Sequence, residues 1–118
     1  MTGKKLLFIV QIPEFFISHR LSLALLAQQK GYEIHVATTY SENFQKIKSY
    51  GFVCHKIYLK RGSINIFNDL ITFISIYKVL KDLKPDVLHL LTAKCNIYGG
   101  LASRIISIPK VVHAITGL

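Results

Sequence analysis

The sequence predicts an α/β fold built on a doubly wound parallel sheet of about five strands, and three observations predict it. Short β-rich apolar runs alternate with helix-length segments from one end of the chain to the other. Glycine or proline stands at the joints, at Gly31, Gly51, Pro85 and Pro109. The first run, Leu6-Leu7-Phe8-Ile9-Val10, is apolar without alternation, which suits a strand covered on both faces rather than one with a wet side.

Taken in order, residues 4–10 form the first strand. Ser18 can cap the helix that follows, and Leu21, Ala24 and Leu25 recur on one face of it. Gly31 ends that helix because glycine adopts the left-handed conformation after a last turn without strain. Residues 32–39 are the second strand, 41–50 a short helix stopped by Gly51, and 52–59 the third strand. A basic turn, Lys60-Arg61-Gly62-Ser63, leads to Asn65 as cap of a long helix over residues 66–83. Lys78, Lys81 and Lys84 complement the negative end of its dipole, and Pro85 prevents its continuation. Residues 86–91 are the fourth strand, 96–107 the fourth helix and 110–115 the fifth strand, predicted to lie at an uncovered sheet edge. The architecture is Rossmann-like, in a single domain spanning residues 1–118.

Composition narrows the function. Hydrophobic residues make up 51% of the 118, ample for a core, and 15 Lys+Arg against six Asp+Glu leave a formal net charge of +9. The basic residues are spread along the chain, so the surface attracts anions of several kinds. No nucleic-acid module or basic-aromatic ladder is present, which disfavours nucleic acid and leaves an anionic membrane surface or a phosphate-bearing substrate. Cys54 and Cys95 fit neither a metal spacing nor a disulfide framework, and no metal site is predicted. The first apolar run is too short for a signal-peptide core, and Asp69 and Lys78 interrupt the most lipid-like stretch, residues 64–80.

Ligands of such sheets bind beyond the carboxyl ends of the strands. Three junctions therefore gather the candidates: residues 11–20, then Thr92-Ala93-Lys94, then Thr116-Gly117. His19 offers a base or a phosphate donor, Arg20 and Lys94 are anion partners, and a helix start at Ser18 would assist a phosphate. Tyr98-Gly99-Gly100 allows close backbone approach, to a ligand or simply between helix and sheet. Ser18 is equally open to a pure capping role. His35, His55 and His89 read as core or edge histidines, whereas His113 stays open to acid-base work. The glycine fingerprint of dinucleotide enzymes is absent.

Three segments carry a family resemblance: Phe15-Phe16-Ile17-Ser18-His19-Arg20-Leu21 with Gly31-Tyr32-Glu33-Ile34-His35; Asp86-Val87-Leu88-His89-Leu90-Leu91-Thr92-Ala93-Lys94 with Tyr98-Gly99-Gly100; and Val111-Val112-His113-Ala114-Ile115-Thr116-Gly117-Leu118. Together they resemble the amino-terminal domain of family 4 glycosyltransferases. The resemblance implies one half of a GT-B architecture and a retaining, metal-independent enzyme with no cofactor. It implies transfer of a hexose or N-acetylhexosamine from a nucleoside-diphosphate sugar to a polyprenyl-pyrophosphate-linked glycan, at the cytoplasmic face of the inner membrane. It further implies that the chain is truncated, that a carboxy-terminal donor-binding domain is absent, and that the chain alone is inactive. The catalytic candidates are His19, His113 and Thr116, and the resemblance gives Thr116-Gly117 the catalytic loop. Phe16, Ser18, Arg20, Thr92, Lys94, Tyr98, Gly99, Gly100 and Gly117 are the substrate-binding candidates, and among these the resemblance gives Ser18 and Arg20, with His19, an acceptor or donor-phosphate role and Thr92 and Lys94 the rim of the cleft. Leu91 stands where many relatives carry a second histidine, and Cys95 where many carry proline. The competing expectation is a non-catalytic subunit that binds the acceptor, recruits it at the membrane and docks a separate donor-binding partner.

Overall fold

A computed structural model describes residues 3–59 and 66–114. The order of elements is β1 (Lys5–Ile9), α1 (Pro13–His19), α2 (Leu21–Gln29), β2 (Glu33–Thr38), α3 (Asn43–Lys48), β3 (Val53–Lys56), α4 (Ile66–Leu83), β4 (Val87–Leu90), α5 (Ala93–Ile106) and β5 (Lys110–His113). All five strands are parallel, in the order β3-β2-β1-β4-β5. β1 is central, with Leu6 opposite both Ile34 and Val87. The direction of winding reverses between β1 and β4, the point beyond whose strand ends sheets of this kind bind their ligands.

Alternation along β1 divides the core. Leu6, Phe8 and Val10 face α1, α2 and α3 through Phe16, Ala24 and Ile47. Leu7 and Ile9 face α4 and α5 through Ile76, Leu80, Cys95 and Ala102. A strand clothed on both sides needs no polar residue, and β1 has none beyond Lys5. The histidines expected in the sheet lie there: His35 and His89 are buried, and His35 Nδ1 meets His55 Nε2 at 2.9 Å.

Several boundaries differ from the sequence reading. The first helix starts at Pro13, after an extended Ile12, because proline at the first helical position needs no N–H partner and already has a helical φ. The chain then breaks at Arg20 (φ −130°) and restarts as α2. Ser18 therefore caps nothing: it lies in the last turn of α1, and its hydroxyl bonds back to the carbonyls of Glu14 and Phe15 at 3.0 and 3.3 Å. Gly31 and Gly51 take φ of +100° and +88°, as their places after α2 and α3 require. α4 has the predicted bounds, whereas α5 begins at Ala93 rather than at Asn96. The basic turn at residues 60–63, the cap at Asn65 and the end of the fifth strand at Ile115 lie outside the described residues.

Candidate functional site

The crevice is built where β1 and β4 end side by side. From β1 the chain turns through Gln11, whose carbonyl accepts a 2.8 Å bond from Thr39 Oγ1, directly into α1. From β4 it turns through Thr92 into α5. Thr92 has φ +66° and ψ 158°, a combination that costs a β-branched residue on the order of 1–3 kcal/mol. Its carbonyl accepts from Asn96 N and Asn96 Nδ2 at 3.1 and 2.8 Å, and its buried side chain bonds the Cys95 thiol. Thr38 Oγ1, at the carboxyl end of β2, is buried without a hydrogen-bond partner among the described residues.

α1 uses its own polar groups locally. Ser18 Oγ lies 2.9 Å from His19 Nδ1, which is also 3.2 Å from the Phe15 carbonyl, and the His19 ring stacks on Phe15 at 4.2 Å. Ser18 and His19 are thus held against the exposed side of α1. Phe16, a substrate-binding candidate in the sequence, is instead wholly buried, edge-on to Phe8 at 5.2 Å and to Phe52 at 6.1 Å. Its place on the sheet-facing side of α1 puts it in the core.

Arg20 reaches across the sheet. Its Nε donates to His89 Nε2 at 3.2 Å and its Nη1 to the His19 carbonyl at 3.0 Å. His89 accepts and is therefore neutral at Nε2. Burial, and then the Arg20 charge, pull its pKa down to about 4. The ring lies 5.0 Å from Phe8.

Lys94, in the first turn of α5, is 3.6 Å from Asp69 Oδ1 in the first turn of α4. Tyr98, one turn further on, has its phenol pKa raised by desolvation and then by a hydrogen bond to the same carboxylate. This cluster ties the starts of both helices together at the crevice edge.

Asn96, which the sequence reading used only as a helix boundary, is the clamp of the region. Its Nδ2 also donates to the Ala114 carbonyl at 2.9 Å, so its Oδ1 is the acceptor for His113 Nδ1–H at 2.8 Å. That assignment leaves His113 Nε2 as an acceptor, beside a cavity of about 340 Å³ between α5 and β5. A Cβ at Gly100 would lie 3.0 Å from His113 Cε1, and one at Gly99 only 2.4 Å from Leu90 Cδ2. Both glycines thus serve close helix-to-strand packing. The spacing Asn96-x-x-x-Gly100, one turn on one face, was the available signal, but its partner His113 lies 17 residues from Asn96. Thr116 and Gly117 lie outside the described residues. Arg20–His89, Lys94–Asp69–Tyr98 and Asn96–His113 are therefore brought together in pairs or clusters, whereas His19 and His113 are not in contact. Among the described residues no group of three or more His, Cys, Asp or Glu side chains is placed to hold a metal.

Known structures share this fold. The chain superposes on MurG from Acinetobacter baumannii with a TM-score of 0.74 at 21% identity, covering 98% of this chain and 37% of that one. It matches the calicheamicin glycosyltransferase CalG4 with a TM-score of 0.72 at 15% identity, covering 100% of this chain and 34% of the other. UDP-GlcNAc 2-epimerase from Neisseria meningitidis, bound to UDP-GlcNAc, matches with a TM-score of 0.67 at 20% identity, over 97% and 33% of the two chains. The fold is thus common to transferases and epimerases, and the chain spans about a third of each of these structures. In sequence, 55 residues are 38% identical to an Escherichia coli enzyme, UDP-Gal:alpha-D-GlcNAc-diphosphoundecaprenol alpha-1,3-galactosyltransferase, over 47% of this chain and 14% of that enzyme. The family model described as glycosyl transferase 4-like matches residues 5–118, nearly the whole sequence. By that match, and with the five-stranded parallel sheet in place, the chain belongs to the glycosyl transferase 4-like family.

Proposed function

We propose that this chain is the acceptor-side domain of a retaining glycosyltransferase that moves a hexose or N-acetylhexosamine from a nucleoside-diphosphate sugar to a polyprenyl-pyrophosphate-linked glycan. It works at the cytoplasmic face of the inner membrane with a donor-binding domain that forms the other wall of the cleft. The observation that carries this reading is the 38% identity to an enzyme whose named acceptor is a diphosphoundecaprenol-linked sugar, since the fold alone serves epimerases equally.

The crevice chemistry agrees. In the transfer, the bond from the anomeric carbon to the diphosphate oxygen breaks and a bond to the acceptor hydroxyl oxygen forms. The acceptor proton leaves with the departing diphosphate, and the negative charge that develops there calls for fixed positive partners. The start of α5 supplies a dipole end. Arg20, already oriented by the His89 acceptor, supplies a fixed cation. No cofactor is needed for a displacement of this kind.

The test is a radiolabelled transfer assay with a panel of nucleotide sugars and polyprenyl-pyrophosphate-linked acceptors, using the chain alone and with a family 4 donor-binding domain added in trans. Transfer only with the added domain is the expected result. Transfer by the chain alone would overturn the division of labour. Acceptor binding without transfer in either arm would favour the non-catalytic subunit.

A further inference from the structure

One amide side chain reaches the ends of two strands. Asn96 Nδ2 donates to the Thr92 carbonyl at 2.8 Å and to the Ala114 carbonyl at 2.9 Å, and Asn96 Oδ1 accepts from His113 Nδ1 at 2.8 Å. Both amide hydrogens are therefore spent, and each goes to a backbone carbonyl just past a strand, Thr92 beyond β4 and Ala114 beyond β5. Both places need the support. Thr92 holds a backbone conformation that a β-branched residue keeps only where its surroundings over-determine it. The following turn supplies that hold: Asn96 N at 3.1 Å and Asn96 Nδ2 meet its carbonyl, and Cys95 meets its side chain. β5 is four residues long and pairs with β4 alone among the described residues. The N–H of Ala114 still reaches the Leu90 carbonyl at 2.9 Å, and its carbonyl has Asn96 as partner.

We infer that Asn96 is a positioning residue: its amide locks the turn from β4 into α5 against the exit of β5, with His113 as its orienter. The oxygen and nitrogen of an amide are nearly the same size. The N–H of His113 decides which lies where, since Oδ1 must face it and Nδ2 is left for the two carbonyls. Gly100 makes room for this contact: without a Cβ there, the His113 ring packs directly on α5 one turn beyond Asn96. The consequence falls on α5. That helix starts at Ala93, so the turn at Thr92 sets the direction of its amino-terminal dipole end relative to β4. In the transfer proposed above, that end is a partner of the departing diphosphate, and a shift of about 1 Å in such a partner costs up to roughly a hundredfold in rate. The purpose of the clamp rests on that reading, whereas the clamp itself does not.

Two substitutions separate the parts of the amide. Asn96→Asp keeps an acceptor for His113 but puts a carboxylate oxygen against the two carbonyls, and Asn96→Leu loses all three bonds. In NMR relaxation on the isotope-labelled chain, the Thr92 and Ala114 amides of the wild type have order parameters of about 0.85. In both variants these fall to roughly 0.6 or below, while Leu7 and Phe8 of β1 keep theirs and show the fold intact. His113 carries its hydrogen on Nδ1 in the wild type and in the Asn96→Asp variant, and loses that preference in the Asn96→Leu variant. His113→Asn, whose amide N–H takes the place of the Nδ1–H, keeps Ala114 ordered, whereas His113→Leu does not. In transfer with a donor-binding domain added in trans, Asn96→Asp lowers kcat roughly tenfold or more and changes the acceptor KM by less than about threefold. Ordered Thr92 and Ala114 amides in the Asn96→Asp variant, or loosened amides with kcat unchanged, would overturn the inference. If the wild-type pair transfers nothing, the proposed reaction falls, and the relaxation and tautomer results decide the clamp by themselves.

Discussion

His89 makes the stability of this domain acid-sensitive. The ring is 9% exposed, lies against Phe8 and accepts from Arg20 Nε, so a proton on Nε2 would be buried and would face a guanidinium. Its pKa is about 4 in the folded chain against 6.5 for an ordinary histidine. At pH 7 the unfolded chain binds the proton only about a quarter of the time and the folded chain hardly at all, so His89 contributes little pH dependence there. Below about pH 6.5 the unfolded chain takes the proton and the folded chain does not, so stability falls with acidification until the folded pKa is reached near pH 4. The loss is about 2 kcal/mol at pH 5 and about 3 kcal/mol at pH 4. His89→Gln keeps an acceptor for Arg20 without a titrating group and removes this part of the loss. Other titrating residues, including His55, whose pKa is also lowered by burial, act in both proteins and cancel in the comparison. Urea unfolding followed by far-UV circular dichroism at pH 7 and pH 5 measures the difference. Equal losses in both proteins, or a His89 ring resonance that titrates above pH 6, would refute the reasoning.

Two further changes probe the junction after β4. Thr92→Gly relieves a φ of +66° in a region that only glycine occupies readily, so after the entropy cost of glycine the domain gains about 1 kcal/mol and melts higher by about 4 °C in thermal unfolding. Gly99→Ala places a Cβ 2.4 Å from Leu90 Cδ2, and the overpacking outweighs the better helix propensity by about 1–2 kcal/mol. A double-mutant cycle with Leu90→Ala, read by thermal unfolding, abolishes the penalty. An unchanged penalty in the Leu90→Ala background would place the strain elsewhere.

Local rules were enough for the succession of elements. A continuous apolar run marked β1, Gly31 and Gly51 marked helix ends, Pro85 closed α4, and the alternation of strand and helix implied a parallel sheet. Reading Ser18 as a cap misplaced the start of α1 and missed the break at Arg20, whereas Pro13 stands at its first position. The site itself came from neighbours far apart in the chain. β1 pairs with β4, so Arg20 meets His89 across 69 positions, and the return of β5 beside β4 brings His113 to Asn96. Residue type and spacing announce that a side chain is polar, basic or small. Which partner it meets, whether its hydroxyl is spent and which side of a helix is left to the outside follow from strand order and burial, because those are set by contacts between segments that no local pattern records.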